Sequence, residues 1–148
     1  MLACVPLLFS SLPAQDHPSV VLPPALDRVL REYERGWRTG AADSVAALFA
    51  VDGFALPSGR AAARGRAAIA STYAGSGGDL HLRALSWGAS DSVGYVVGAY
   101  RYAPTGPDVG KFVLALCRDS AGRWLIDADI DNANAPPRME SPGSSPGP

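Results

Sequence analysis

Lys111-Phe-Val-Leu-Ala-Leu-Cys-Arg118 is followed by Asp119-Ser-Ala-Gly122 and then by Arg123-Trp-Leu-Ile-Asp127-Ala-Asp129-Ile-Asp131. Two runs of strand-forming residues with a short turn-type connection between them predict an antiparallel hairpin. The same period of two runs through residues 80–86 and 92–103, with Thr105-Gly-Pro-Asp-Val-Gly110 as a longer connection into residue 111. Residues 80–131 therefore predict a four-stranded antiparallel meander.

Before residue 78 the period is different. Leu26, Val29, Leu30, Tyr33 and Trp37 recur at three-to-four spacing, with Arg28, Arg31, Glu32, Glu34 and Arg35 assigned to the opposite, solvated face. Pro23-Pro24 opens this helix and Gly40 stops it. A short second helix is predicted with Val45, Leu48 and Phe49 inward. Asp52-Gly53 then turns into a strand over 54–56, and Pro57-Ser-Gly-Arg60 reads as a loop. Residues 65–73 predict a third helix, closed by Gly75-Ser-Gly-Gly78. Helices first and a meander afterwards predict an α+β fold with the helices on one face of the sheet.

The two ends read differently. An apolar run over residues 2–9 and small residues up to Ala14 predict a signal peptide over 1–14, although nothing basic precedes the run. The run is too short for a membrane span. Residues 15–23 read as a linker, 24–134 as the domain, and 135–148 as a disordered Pro/Gly/Ser tail. The expected location is thus exported, periplasmic or secreted, from a bacterium. Hydrophobic residues at 47% and charged residues at 18% of 148 can build one core. A net charge of −1 excludes nucleic acid and anionic lipid as the main partner. Only Cys4, Cys117, His17 and His81 supply soft or imidazole ligands, so neither a metal site nor a cofactor is expected.

Three stretches together resemble the nuclear-transport-factor-2-like superfamily. They are Tyr33-Glu-Arg-Gly-Trp37-Arg-Thr-Gly40 with Ser44-Val-Ala-Ala-Leu-Phe-Ala-Val-Asp52-Gly, then Arg64-Gly-Arg-Ala-Ala-Ile69, and Gly110-Lys-Phe-Val with residues 122–136. The last is similar to the terminal strand of the SnoaL-like group, in particular its branch called domain of unknown function 4440 (YybH-like). The resemblance implies a cone-shaped, curved antiparallel sheet wrapped round N-terminal helices, the cystatin-like arrangement. Ketosteroid isomerase shares that fold, and the same register puts Tyr33 at its oxyanion tyrosine. Pro57 then falls at its general base and Leu114 at its protonated acid. Two of the three groups cannot do that work, so the isomerase activity is not expected.

In that register Val96, Gly98, Tyr100 and Tyr102 face the interior of the cone, as do Phe112, Leu114 and Leu116. On the last strand Leu125, Asp127, Asp129 and Asp131 do so. Three carboxylates about 7 Å apart along one face would repel one another, and one would become a general acid or base. A register one residue away instead buries Trp124, Ile126, Ala128 and Ile130 and leaves the aspartates in water. Both remain open at this stage. An EF-hand reading fails, because its sixth and twelfth positions are Asn132 and Arg138.

Tyr33, Trp37, Tyr100, Tyr102 and Leu114 are the expected ligand wall; Tyr33, Asp127, Asp129 and Asp131 are the catalytic candidates. The opposite sheet face carries Tyr95, Val97, Ala99 and Arg101 on one strand and Lys111, Val113, Ala115 and Cys117 on the next, a largely apolar face that predicts a homodimer. The expected function is binding of a small apolar or amphipathic molecule, with cofactor-free acid/base chemistry (isomerase, cyclase, dehydratase or hydrolase) on it. The alternative is a non-catalytic association module with a filled core. An enclosed space between Tyr33 and Asp129 separates the two.

Overall fold

A computed structural model describes residues 17–134. The signal peptide expected over 1–14 and the tail over 135–148 lie outside the described residues. The elements run α1 (Pro24–Arg38), α2 (Ala42–Ala46), β1 (Phe49–Leu56), β2 (Ala63–Arg64), α3 (Arg66–Tyr73), β3 (His81–Ala89), β4 (Val93–Arg101), β5 (Gly110–Arg118) and β6 (Trp124–Ala133).

One six-stranded sheet has the order β2-β1-β6-β5-β4-β3. The strands β3 to β6 form the expected antiparallel meander. β1 joins the outside of β6 in parallel, so the sheet is mixed. Phe49 opens β1 and does not extend the second helix. The stripe Leu26, Val29, Leu30 and Tyr33 of α1 is buried in one core with Phe49, Ile69, Val96, Leu116 and Ile126. Burial of these side chains is the main favourable term in holding the helices on the sheet.

The charged side of α1 departs from its reading as a solvated face. Glu34 is buried. Its carboxylate is 2.6 Å from Arg31 and accepts a 2.6 Å hydrogen bond from the backbone N–H of Leu82. Arg31 donates to the Leu82 carbonyl at 2.8 Å. β3 is an outer strand, so these two side chains satisfy backbone groups that a neighbouring strand would otherwise take. Part of the segment read as a linker continues that edge. Val20 donates its N–H to the Ala84 carbonyl at 2.9 Å, and Leu22 enters the core.

The decisive irregularity lies between β5 and β6. Ala115 pairs with Ala128, but Leu116 pairs with Ile126, so Asp127 is an extra residue in the ladder. A bulge of this kind reverses which alternate residues face inward. Trp124 and Ile126 are buried before it, and Asp129 is buried after it. Each of the two registers weighed for this strand therefore holds for one half of it.

Candidate functional site

Two glycines shape the site. Gly110 pairs with Tyr100, and Gly98 with Phe112, across the β4–β5 ladder. A Cβ at Gly110 would fall inside the Tyr100 ring, and one at Gly98 inside the Phe112 ring. The missing side chains let both rings lie flat across the neighbouring strand. Behind them a cavity of about 400 Å³ opens between the sheet, α1 and α3. Tyr33, Trp37, Tyr73, Tyr100, Phe112 and Leu114 form much of its wall, with Asp129 and Asp131 on the β6 side. A volume of this size suits a small organic molecule.

Asp129 sits opposite Leu114 on the adjacent strand. Its Oδ2 accepts a 3.0 Å hydrogen bond from the Tyr33 hydroxyl. The Tyr73 hydroxyl is 3.3 Å from that of Tyr33. Each hydroxyl has one proton, so the chain runs from Tyr73 to Tyr33 to Asp129 when that carboxylate is ionised. No cation in the described residues forms an ion pair with Asp129. Its pKa is pushed up to about 7, first by desolvation and also by the negative charge of Asp131. The Tyr33 bond opposes the shift without cancelling it. Burial and the same aspartate push the hydroxyl pKa of Tyr33 well above its ordinary value, and that of Tyr73 upward as well.

Two residues further on, Asp131 accepts hydrogen bonds from the Ser58 N–H at 3.1 Å and from the Tyr100 hydroxyl at 3.3 Å. The Tyr100 pKa is also raised, by burial first and by Asp131 next. The rings pack on one another. Trp37 stacks near Tyr33 at 6.3 Å and meets Tyr73 edge-on at 5.4 Å, while Tyr100 and Tyr102 are 5.7 Å apart. Tyr102 is exposed and stands at the mouth.

The structure brings seven of the eight proposed site residues to this one cavity and leaves Asp127 out. Asp127 is the bulge residue; it is exposed, and its charge is felt by Cys117 on the outer face. Leu125, also expected inside, pairs with Cys117 on that outer face. Conversely, Tyr73, Ser58 and Arg60 line the cavity and were not among the expected residues. Tyr73 had a readable signal: it follows Ile69 by four positions, so the two share a helix face. Ser58 and Arg60 lie in a loop, where no periodicity marks direction. His81 is away from the cavity, with its Nε2 buried and without a hydrogen-bond partner.

This fold recurs in solved structures. A ketosteroid isomerase-like protein from Erwinia carotovora atroseptica superposes with a TM-score of 0.63 at 18% identity, over 76% of this chain and 95% of that one. An NTF2-like protein with a cystatin-like fold from Novosphingobium aromaticivorans gives 0.59 at 18%, over 74% and 80%. The chain has the nuclear-transport-factor-2-like fold. A further protein with this fold, a putative scytalone dehydratase from Novosphingobium aromaticivorans, gives 0.60 at 18%, over 82% and 93%. No family model matches the sequence, and no curated protein matches it. At these identities the nuclear-transport-factor-2-like fold is shared and the activity is not thereby transferred.

Proposed function

We propose that this protein binds a small amphipathic molecule in the cavity and performs acid/base chemistry on it. The observation that supports this reading is the Tyr73–Tyr33–Asp129 chain on the wall of a cavity lined largely by aromatic and aliphatic side chains. Asp129, with its pKa near 7, can both accept and return a proton at neutral pH. When Asp129 takes a proton, Tyr33 no longer needs to donate to it, and the Tyr33 O–H becomes available to a ligand oxygen on which charge develops. While Asp129 is ionised, the Tyr73 hydroxyl, 3.3 Å away, can donate to the Tyr33 oxygen. Asp131, held by Ser58 and Tyr100, supplies a second acceptor on the same wall. Isomerisation, cyclisation, dehydration and hydrolysis all fit this set.

The test is calorimetric titration with 2-naphthalenemethanol, a neutral probe small enough for the cavity. Binding is expected in the native protein. Leu82→Trp, which narrows the cavity, should weaken it while the circular dichroism is unchanged. Failure of this alcohol and of its amine and carboxylate counterparts to bind the native protein would refute the reading. An association role has its own support: a putative calcium/calmodulin dependent protein kinase II association domain from Xanthomonas campestris gives a TM-score of 0.60 at 16% identity, over 85% and 100%. The two roles are compatible, because association would use the outer sheet face. There we propose a homodimer. We also propose export, from residues 1–14; N-terminal sequencing of periplasmic protein should then begin near Gln15.

A further inference from the structure

The proton inventory of the cavity is one-sided. With Asp129 ionised, Tyr33 commits its hydroxyl proton to it, and Tyr100 commits its proton to Asp131. The Tyr33 oxygen is then left to accept from the Tyr73 hydroxyl 3.3 Å away. What these residues offer to a guest are carboxylate and phenol lone pairs. Trp37, Ser76 and Tyr102 also carry donors on this lining, but around the two carboxylates a matched guest brings hydrogen-bond donors of its own. The wall also holds two carboxylates, and its aromatic faces attract positive charge. Among the described residues, the cation that lines the cavity is Arg60, which is exposed and donates to the Thr72 carbonyl at 2.8 Å.

We infer that the guest is a small organic cation, a primary or secondary amine on an apolar body, with its N–H groups toward Asp129 and Asp131 and its body against Trp37, Leu82, Phe112 and Leu114. This rests on the cavity being the binding site. The ammonium would provide the counter-charge that the buried Asp129 lacks. It would thereby favour the ionised carboxylate, so amine binding at pH 6 should release a proton from Asp129. The other groups facing the guest are Asp131 on β6, Tyr33 on α1, Tyr73 on α3, Tyr100 on β4, Tyr102 just after β4 and Arg60 in the loop after β1. The raised tyrosine pKa values keep those hydroxyls protonated in this range.

Three probes on one ring system separate charge from shape: 2-naphthylmethylamine, 2-naphthalenemethanol and 2-naphthoate. Calorimetry on the native chain should find the amine at least about tenfold tighter than the alcohol, with naphthoate weakest. Repeating the titration at pH 6 in two buffers of different ionisation enthalpy should show proton release with the amine and none with the alcohol. In Asp131→Asn the amine-to-alcohol preference should fall to less than about threefold, because half of the counter-charge is gone. Equal affinities for amine and alcohol would overturn the cation inference and leave the cavity reading standing. Preference for naphthoate would overturn it in favour of Arg60 as the determinant. Failure of all three probes to bind would overturn both.

Discussion

Asp129 carries a stability cost that depends on pH in a defined direction. Its pKa is about 7 in the folded chain and about 3.9 in an unfolded one. Between those values the folded state binds the proton and the unfolded state does not. Stability is therefore full below about pH 4, declines as pH rises to about 7, and levels off above it. Asp129→Asn removes the titration and keeps the shape. Urea midpoints should show the variant more stable than the native chain at pH 8, by on the order of 2–4 kcal/mol, and nearly equal to it at pH 4. An equal gain at both pH values would show that desolvated charge is not the cause. Tyr33→Phe should act in the opposite sense on the same group. It deletes the one hydrogen bond that favours the ionised form, so the Asp129 carboxyl should titrate higher still in a carbon-13 NMR titration.

Among the elements, α1 and β5 hold the site in place through different physics. Glu34 and Arg31 hold the outer edge of β3 at Leu82. Glu34→Ala would leave a backbone N–H without its acceptor and Arg31 with the 3.3 Å contact to Asp27 as its remaining ion pair. The expected cost is about 1–3 kcal/mol, with faster hydrogen exchange at the Leu82 amide as the local signature. On β5, Gly110→Ala puts a methyl where the Tyr100 ring lies. The ring must leave, and with it goes the hydroxyl bond to Asp131. A loss of about 1–3 kcal/mol is expected, together with weaker binding of any cavity probe. Gly122→Ala, with nothing near its absent Cβ but a φ of +78°, would cost backbone strain alone, a term that Gly110 does not carry.

For the whole molecule the outer sheet face matters most. Tyr95 is 46% exposed, Val113 39% and Ile130 50%, and Val113 pairs with both Val97 and Ile130 across the ladder. A row of this kind on three adjacent strands is an apolar surface that association would cover. If two copies meet there, Val113→Asp should convert a dimer to a monomer in sedimentation or light scattering, since it buries an unpaired charge in the contact. A native chain that is already monomeric at micromolar concentration would exclude the dimer. The cavity opens on the other side of the sheet, so the monomeric variant should still bind the neutral probe.

How much of this was legible beforehand varies with what each feature depends on. The 3.6-residue period of Leu26, Val29, Leu30 and Tyr33 and the period of two in residues 111–118 are local properties of the chain. They determined α1 and the meander, and with them the α+β class, because a stripe or a face of apolar groups has to be buried whatever its neighbours are. The inward aim of Tyr33 followed from the helix period, whereas the period of two only put Tyr100 and Leu114 each on one sheet face, and the resemblance implied that this face was the inner one. The aspartate row did not. Asp127, Asp129 and Asp131 are spaced alike in the chain, and only the extra residue in the pairing of β6 with β5 sends the first outward and the other two inward. A bulge belongs to two strands at once, so no pattern within one strand marks it. Glu34 was hidden for a related reason: it looks solvated until β3 is placed beside α1 and presents an unpaired N–H. The raised pKa of Asp129 likewise needs the cavity wall, since desolvation comes from what surrounds a group in space and not from its neighbours in sequence.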